Sequence, residues 1–208
     1  MAHVPASERR PQLIRAAIDL MTREGVAAGS TRAIAAELGV AQATVHYTFG
    51  TKKDLYRAVV EQLMADFIDQ VHAASPGDGP FGEQVRTLVH ALWTSTVAEP
   101  GRCILLAEVE TLAMRDPELR EIIRGLQAET ERIAADMLTA LADAHGLTLA
   151  LPAHDIAIQF LAGFDGLCGR HLVFRPDHVE PDEEALRALD LLVAGTVGLC
   201  LGAPARSG

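Results

Sequence analysis

The composition and charge of this 208-residue chain limit its fold class before any motif is considered. Apolar residues make up 49% and aromatic residues only 4%, which together with the scarcity of β-branched runs is typical of a helical protein. Its three cysteines, Cys103, Cys168 and Cys200, lack paired spacing, which argues against a disulfide framework and favours a reducing compartment. The longest apolar run, residues 191–203, is too short to cross a bilayer, and the first ten residues lack the apolar segment of a signal peptide. We therefore expect a cytoplasmic protein with no membrane partner.

The net charge of −10 is unevenly distributed along the chain. Residues 1–56 carry a net charge of +2, and residues 57–208 carry a net charge of −12. The only two lysines, Lys52 and Lys53, are adjacent. Basic charge in the first segment suits contacts with phosphate, whereas the acidic remainder would be repelled from a nucleic acid.

The first helix is predicted to begin near residues 9–11, because proline is tolerated in the first turn of a helix, and to end at Gly25. Its buried side is formed by apolar residues at helical spacing: Leu13, Ile14, Ala17, Ile18 and Met21. Arg9 and Arg10, at its start, are candidate phosphate contacts.

Two short helices around a tight turn are predicted over the next segment. Thr31 can cap the first of them, and Gly39 follows where a chain leaving a helix needs positive φ. Residues 42–49 form a second helix of about two turns, on which Val45 and Phe49 face inward. Its outer face carries Gln42, Ala43, Thr44, His46 and Tyr47. An exposed short helix of hydrogen-bonding residues suits a recognition helix in a DNA major groove.

This segment resembles the DNA-binding domain of the TetR family of bacterial transcriptional regulators. The matching residues are Thr31, Ile34, Ala35, Gly39, Val40, Thr44, Val45, Tyr47, Phe49, Lys52, Leu55 and Tyr56, together with the buried side of the first helix. The resemblance implies an all-α protein of about nine helices, with a three-helix helix-turn-helix domain over residues 1–56. Residues 57–208 would then form a helical effector-binding and dimerisation domain.

The candidate DNA contacts divide into base readers and phosphate contacts. Gln42 can pair with adenine through its amide, His46 can donate or accept, and Ala43 can meet a thymine methyl group. The predicted phosphate contacts, from chemistry and from the resemblance, are Thr31, Thr44, Tyr47 and Lys52. The fourth helix opens at Thr51, whose hydroxyl forms a capping pattern with Asp54 three residues later.

The remaining chain is predicted to be helical throughout. The fourth helix continues to about Ala74, and the proline- and glycine-rich residues 75–82 break it. Further helices are predicted over residues 81–98, 101–115, 117–144, 152–174 and 182–201.

Glycines inside the last two helices favour close approach of another helix, because glycine is otherwise costly in a helix. These glycines are Gly163, Gly166, Gly169, Gly195 and Gly198. Their partner is either a helix of the same subunit or the helices of a second copy. The family resemblance favours the homodimer, in which two heads would read two half-sites of a palindrome.

A small-molecule site is predicted in the helical body, although large apolar residues at helical spacing are also what an ordinary core requires. The candidate residues are Phe67, His90, Trp93, Glu108, Met114, Phe160 and Phe164. Cys168 and His171 are spaced for a metal, but no third ligand forms a recognised motif, so no metal or cofactor is predicted. No catalytic motif is found, and we do not expect an enzyme.

The sequence therefore predicts a dimeric TetR-type repressor that binds double-stranded DNA and is released by a small-molecule effector. An activator or dual regulator on the same fold is the first alternative. The second is a helical ligand-binding protein whose helix-turn-helix is vestigial.

Overall fold

The computed structural model describes residues 6–74, 76–174 and 183–202 of the chain. These residues form nine α-helices and one short 3-10 helix, with no strand among them. The helices are α1 (Ala6–Glu24), α2 (Thr31–Leu38), α3 (Gln42–Phe49), α4 (Lys52–Ala73), α5 (Phe81–Ala98), α6 (Pro100–Ala113), α7 (Pro117–Ala144), α8 (Ala153–Phe174) and α9 (Glu183–Leu201). The 3-10 helix, Val26–Ala28, follows α1. The predicted all-α fold is confirmed.

The chain divides into two compact units. The first unit contains Met1–Asp66 and Gly101–Leu126, and the second contains Phe67–Pro100 and Gln127–Gly208. The head, by which we mean α1, α2, α3 and the first turns of α4, therefore lies in one unit with α6 and the start of α7. These units are defined by compactness and not by function. The predicted boundary after residue 56, between a DNA-binding domain and an effector-binding domain, stays a prediction.

The core of the first unit is built from the predicted apolar faces. Its members from the head are fully buried or nearly so: Leu13, Ile14, Ala17, Ile18, Met21, Ile34, Ala35, Val45, Phe49, Leu55 and Tyr56. Leu105 and Val109 of α6 belong to the same core. The short helices α2 and α3 are thus held by packing, which two-turn helices need because their own backbone hydrogen bonds stabilise them weakly.

The ends of the short helices follow local chemistry, with one correction to the sequence interpretation. Thr31 is not the cap of α2; Ser30 is the cap, and its Oγ accepts a hydrogen bond from the Ala33 N–H at 3.1 Å. Gly39 ends α2 with φ of 65°, as predicted. α3 begins after Ala41, which offers no side-chain cap. α1 also begins earlier than predicted, at Ala6, so that Pro11 lies inside it.

The core of the second unit surrounds Trp93 on α5. Buried apolar residues from α5, α8 and α9 pack there: Phe81, Val85, Val89, Val97, Ile156, Phe164, Leu189 and Val193. The buried Gln84 donates to the carbonyl of Gly77 at 2.7 Å, and its Oε1 lies 3.0 Å from His145 Nε2. These contacts link α5 to the segment before it and to the turn after α7. Within the described parts of the chain, none of the helices combines the length and the apolar character needed to cross a membrane.

Candidate nucleic-acid interface

The outer face of α3 is polar and open to solvent. Val45 and Phe49 are buried beneath it, as the spacing predicted. Gln42, Ala43 and His46 are exposed, and Tyr47 is 93% exposed. The face that α3 turns to solvent therefore presents an amide, an imidazole and a phenol ring, all of which can form hydrogen bonds.

The first residues of α2 and α3 are joined by a side-chain hydrogen bond. Gln42 Nε2 donates to Thr31 Oγ1 at 3.1 Å. The sequence interpretation assigned each residue a DNA contact, but nothing in their spacing predicted that they would touch each other. The bond exists because the turn at Gly39 brings the two helix starts together.

The end of α3 is fastened by a residue from α1. Arg10 donates to the carbonyl oxygen of Thr48 at 3.2 Å, and its guanidinium lies 5.3 Å from the centre of the Phe49 ring. A cation at a helix C-terminus is favourable because the last carbonyl groups carry partial negative charge. Arg10, a candidate phosphate contact in the sequence, therefore also stabilises the end of α3.

The start of α4 is capped by the predicted pair. Asp54 Oδ2 accepts from the Thr51 hydroxyl at 2.6 Å, and Thr51 Oγ1 accepts from the Asp54 N–H at 3.1 Å. The hydrogen bond from the Thr51 hydroxyl lowers the pKa of Asp54 below its ordinary value, because it stabilises the carboxylate.

The two adjacent lysines have different surroundings. Lys52 is exposed, with Nζ 5.4 Å from the centre of the Tyr56 ring. Lys53 Nζ forms an ion pair with Asp116 at 3.2 Å and a second with Glu118. The hydrogen bond to Glu118 is the main reason why the pKa of Lys53 is raised. Lys52 is therefore the better placed of the two for a phosphate.

Three of the predicted effector residues lie together in the second unit. The Trp93 ring contacts Phe164 edge to face at 5.9 Å, and Phe164 lies 5.8 Å from Phe160. His171, which sequence reasoning considered only as a metal ligand, contacts Trp93 at 5.5 Å. Trp93 is 1% exposed, and its Nε1 has no hydrogen-bond partner among the described residues. We call Trp93, Phe160, Phe164 and His171 the aromatic cluster.

The other predicted effector residues have different contacts. His90 Nε2 lies 2.9 Å from Asp190 of α9, which Arg86 also contacts. Phe67 is half-buried at the start of the second unit. Glu108 and Met114 belong to the first unit. There Glu108 accepts from the Val26 N–H at 2.6 Å, and Met114 is 70% exposed. Among the residues that the structure describes, no group of three or more His, Cys, Asp or Glu could hold a metal ion.

Comparison with protein families identifies both parts of the chain. The model of bacterial regulatory proteins of the tetR family matches residues 13–59. The model of the BetI-type transcriptional repressor C-terminal domain matches residues 81–197, which is more than half of the chain. The chain belongs to the TetR family. This confirms the resemblance and makes the protein a TetR-type transcriptional regulator with a DNA-binding helix-turn-helix.

Individual relatives of this TetR-family chain are also named as transcriptional repressors. The HTH-type transcriptional repressor Rv3405c of Mycobacterium tuberculosis is 30% identical over 183 residues, 81% of this chain and 90% of the relative. The HTH-type nicotine-responsive transcriptional repressor HdnoR of Paenarthrobacter nicotinovorans is 28% identical over 163 residues, 76% of this chain and 81% of the relative. Members of this family are regulators, which are generally not enzymes.

Solved structures share the fold of this TetR-family chain at low sequence identity. A transcriptional regulator from Rhodococcus sp. RHA1 has a TM-score of 0.73 at 21% identity, covering 94% of this chain and 99% of the other. A regulator from Saccharomonospora viridis, solved in complex with choline, has a TM-score of 0.69 at 22% identity, covering 90% and 96%. These likenesses support the helical architecture alone.

Proposed function

We propose that this TetR-family protein is a homodimeric repressor that binds a palindromic DNA operator through α3 and is released by a small-molecule effector. The observation that carries the proposal is the outer face of α3. Its polar residues are held in solvent by a buried anchor, Val45 and Phe49, that fixes how they project. A helix of this kind enters a major groove with side chains facing the base edges.

The surroundings of α3 suit the phosphates on either side of that groove. Thr31 opens α2, Lys52 opens α4, and Tyr47 projects from α3 between them along the sequence. Helix starts attract phosphate because their N–H groups carry partial positive charge. We propose Gln42, Ala43 and His46 as base contacts, and Thr31, Thr44, Tyr47 and Lys52 as phosphate contacts.

The glycines of α8 and α9 support a dimer. A Cβ at Gly163 would lie 2.6 Å from Leu192 Cδ1, so packing within the subunit explains that glycine. A Cβ at Gly166, Gly169, Gly195 or Gly198 would meet no described atom within 4 Å. Those four glycines need a different partner if close approach is their purpose. We propose that α8 and α9 pair with the same helices of a second copy, as a four-helix interface.

An exposed apolar residue lies on the same face of α9 as two of these glycines. Leu191 is 75% exposed and precedes Gly195 and Gly198 at helical spacing. An apolar side chain among small residues is what a closely packed helix pair buries. A dimer built here would carry two heads, and two heads require an operator with two related half-sites.

The aromatic cluster supports an effector with an apolar body and a basic nitrogen. Aromatic faces attract organic cations, and Trp binds them best. The relative from Paenarthrobacter nicotinovorans is named as nicotine-responsive, and nicotine joins a pyridine ring to a basic tertiary amine. An effector of this class would lower operator affinity if it binds more tightly to the dimer arrangement that does not fit DNA.

The proposal is tested by selecting bound fragments from random and genomic DNA with the purified protein, followed by salt titration of the best fragment. We expect a palindrome, and binding that weakens steeply as salt rises. Tyr47→Ala should weaken binding to the selected fragment, whereas Met114→Ala, an exposed change just after α6, should not. Enrichment of no sequence at low salt, with Tyr47→Ala indistinguishable from the parent, would show that the helix-turn-helix is vestigial.

A further inference from the structure

We infer that Thr31 is a specificity-positioning residue, whose hydroxyl fixes the orientation of the Gln42 amide so that it reads adenine. The inference rests on the proposed DNA-binding function and goes beyond it. It assigns to one hydroxyl group two tasks at once: contact with a phosphate and control of the neighbouring base reader.

The geometry places the two side chains at equivalent points of the helix-turn-helix. Thr31 is the first residue of α2 and Gln42 the first residue of α3, and their side chains meet at 3.1 Å between Oγ1 and Nε2. The starts of α2 and α3 are both held in place by local contacts. Ser30 caps α2, Gly39 sets the turn with φ of 65°, and Val45 anchors α3 in the core.

A hydrogen-bond inventory shows why the contact matters. A glutamine amide has two N–H donors and one carbonyl oxygen. The bond to Thr31 uses one donor, which leaves one N–H and the oxygen of Gln42. Those two groups match adenine, whose N7 accepts and whose N6 amino group donates in the major groove. A bond to Thr31 through the N–H that points away from the amide oxygen leaves available the N–H and oxygen pair that adenine recognition needs.

The threonine hydroxyl sets the direction of the amide. A hydroxyl has one proton to donate and can accept as well. When the Thr31 O–H donates to a phosphate, its oxygen can only accept from Gln42, so Nε2 and not Oε1 must face Thr31. Rotating the amide by half a turn would place two acceptors against each other. The phosphate contact thereby selects the amide orientation that fits adenine.

Gln42 would lack this control without the hydroxyl. Its side chain is exposed and has three rotatable carbon–carbon bonds, so on the operator no group at the start of α2 would select between the two amide orientations. One orientation presents the wrong donor and acceptor order to adenine. Loss of Thr31 is thus expected to relax base preference at the position that Gln42 reads, in addition to any general loss of affinity.

The test compares Thr31→Val, Thr31→Ser, Gln42→Ala and the Thr31→Val/Gln42→Ala double variant on the selected operator. Each operator position is replaced by the other three bases, and binding is measured by fluorescence anisotropy. Gln42→Ala identifies the position whose adenine preference depends on Gln42. At that position Thr31→Val should reduce the preference by about 5-fold or more, on the scale of one bidentate base contact. Thr31→Ser should retain the preference, and the double variant should match Gln42→Ala there.

The control is Thr44→Val, which removes a hydroxyl from α3 at another proposed phosphate contact. It should weaken binding to all operator variants by one common factor, as phosphate contacts do. If Thr31→Val also weakens all operator variants equally, or if Gln42→Ala alters preference at no position, the inference is wrong. The parent protein's failure to bind any operator would instead refute the proposed function. Thermal unfolding of each variant checks that the head remains folded.

Discussion

Lys53 and Asp116 form an ion pair, with 3.2 Å between Nζ and Oδ1, that links the start of α4 to the residue before α7. Glu118 contacts the same ammonium group. Asp116 in turn accepts from the N–H groups of Glu118 and Leu119 at 3.0 and 3.1 Å, so it also caps α7. The charge of Lys53 is thus paired within the protein, whereas its neighbour Lys52 is exposed.

The first prediction separates these two lysines. Lys52→Ala should reduce the slope of log affinity against log salt by about one, because one phosphate contact and its released counterion are lost. Lys53→Ala should leave the slope nearly unchanged, since its charge is already balanced by Asp116 and Glu118. The measurement is operator binding at several salt concentrations. Equal changes of slope in both variants would contradict this assignment.

The second prediction concerns acid stability and the Thr51–Asp54 cap. The pKa of Asp54 is lowered in the folded protein, mainly by the hydrogen bond from the Thr51 hydroxyl. A lowered folded-state pKa stabilises the fold above the ordinary carboxyl value near 3.8, and this contribution is lost as pH falls through the lowered value. Asp54→Asn should therefore lower Tm at pH 7 and differ less from the parent at about pH 3.

Thr51→Val provides the matched control for this effect, because it removes the donor and leaves the carboxylate. Its loss of Tm should also shrink at low pH, since the hydrogen bond that lowers the pKa is gone. Thermal unfolding followed by circular dichroism gives both comparisons. A loss of Tm that is the same at pH 7 and at about pH 3 would show that the cap does not act through the charge of Asp54.

The sequence predicted the short helices well because their signals are local. The spacing of Val45 and Phe49 and the position of Gly39 determine where α3 lies and which side is buried. The cap of α2 was assigned to the wrong residue because Ser30 and Thr31 are adjacent hydroxyl residues with similar capping preference. Only the backbone conformation distinguishes them, with Ser30 extended and Thr31 already helical.

The contacts that the sequence could not predict join residues far apart in the chain. Glu108 and Val26 are 82 residues apart, and Lys53 and Glu118 are 65 residues apart. No periodic pattern connects such pairs, because each depends on how separate helices pack. The effector roles predicted for Glu108 and Met114 stay predictions; both residues belong to the first unit, whereas Trp93, Phe160 and Phe164 belong to the second.

The third prediction addresses Glu108 directly. Its carboxylate accepts from the Val26 N–H at 2.6 Å, just after α1. Glu108→Ala should lower the free energy of unfolding by about 1–3 kcal/mol, because a partly buried backbone donor loses its acceptor. Glu108→Gln keeps an acceptor and should cost less. Urea unfolding measures both. A Glu108→Ala variant as stable as the parent, with a weakened effector response, would favour the effector role predicted from the sequence.

The fourth prediction tests the dimer through α9. Leu191→Glu should leave the subunit folded because the side chain is 75% exposed. In a dimer across α8 and α9 it would bury unpaired carboxylates, which costs several kcal/mol, so the dimer Kd should rise by about 100-fold or more. Met114→Glu, at a 70% exposed site just after α6, should not alter dimerisation. Sedimentation equilibrium measures the dimer Kd of each variant. A Leu191→Glu protein that remains dimeric would show that the interface lies elsewhere.

The fifth prediction uses Trp93, the only tryptophan in the chain, as a reporter of the aromatic cluster. Because its ring contacts Phe164 and His171, an effector that binds there should alter its emission at the same concentrations that release the operator. Phe164→Ala should raise the effector concentration required by about 30-fold, on the scale of a desolvated cation–π contact of about 2 kcal/mol. Phe174→Ala, an exposed aromatic change on the same helix, should leave that concentration unchanged. Release of the operator without any change in Trp93 emission would show that the effector binds outside the cluster.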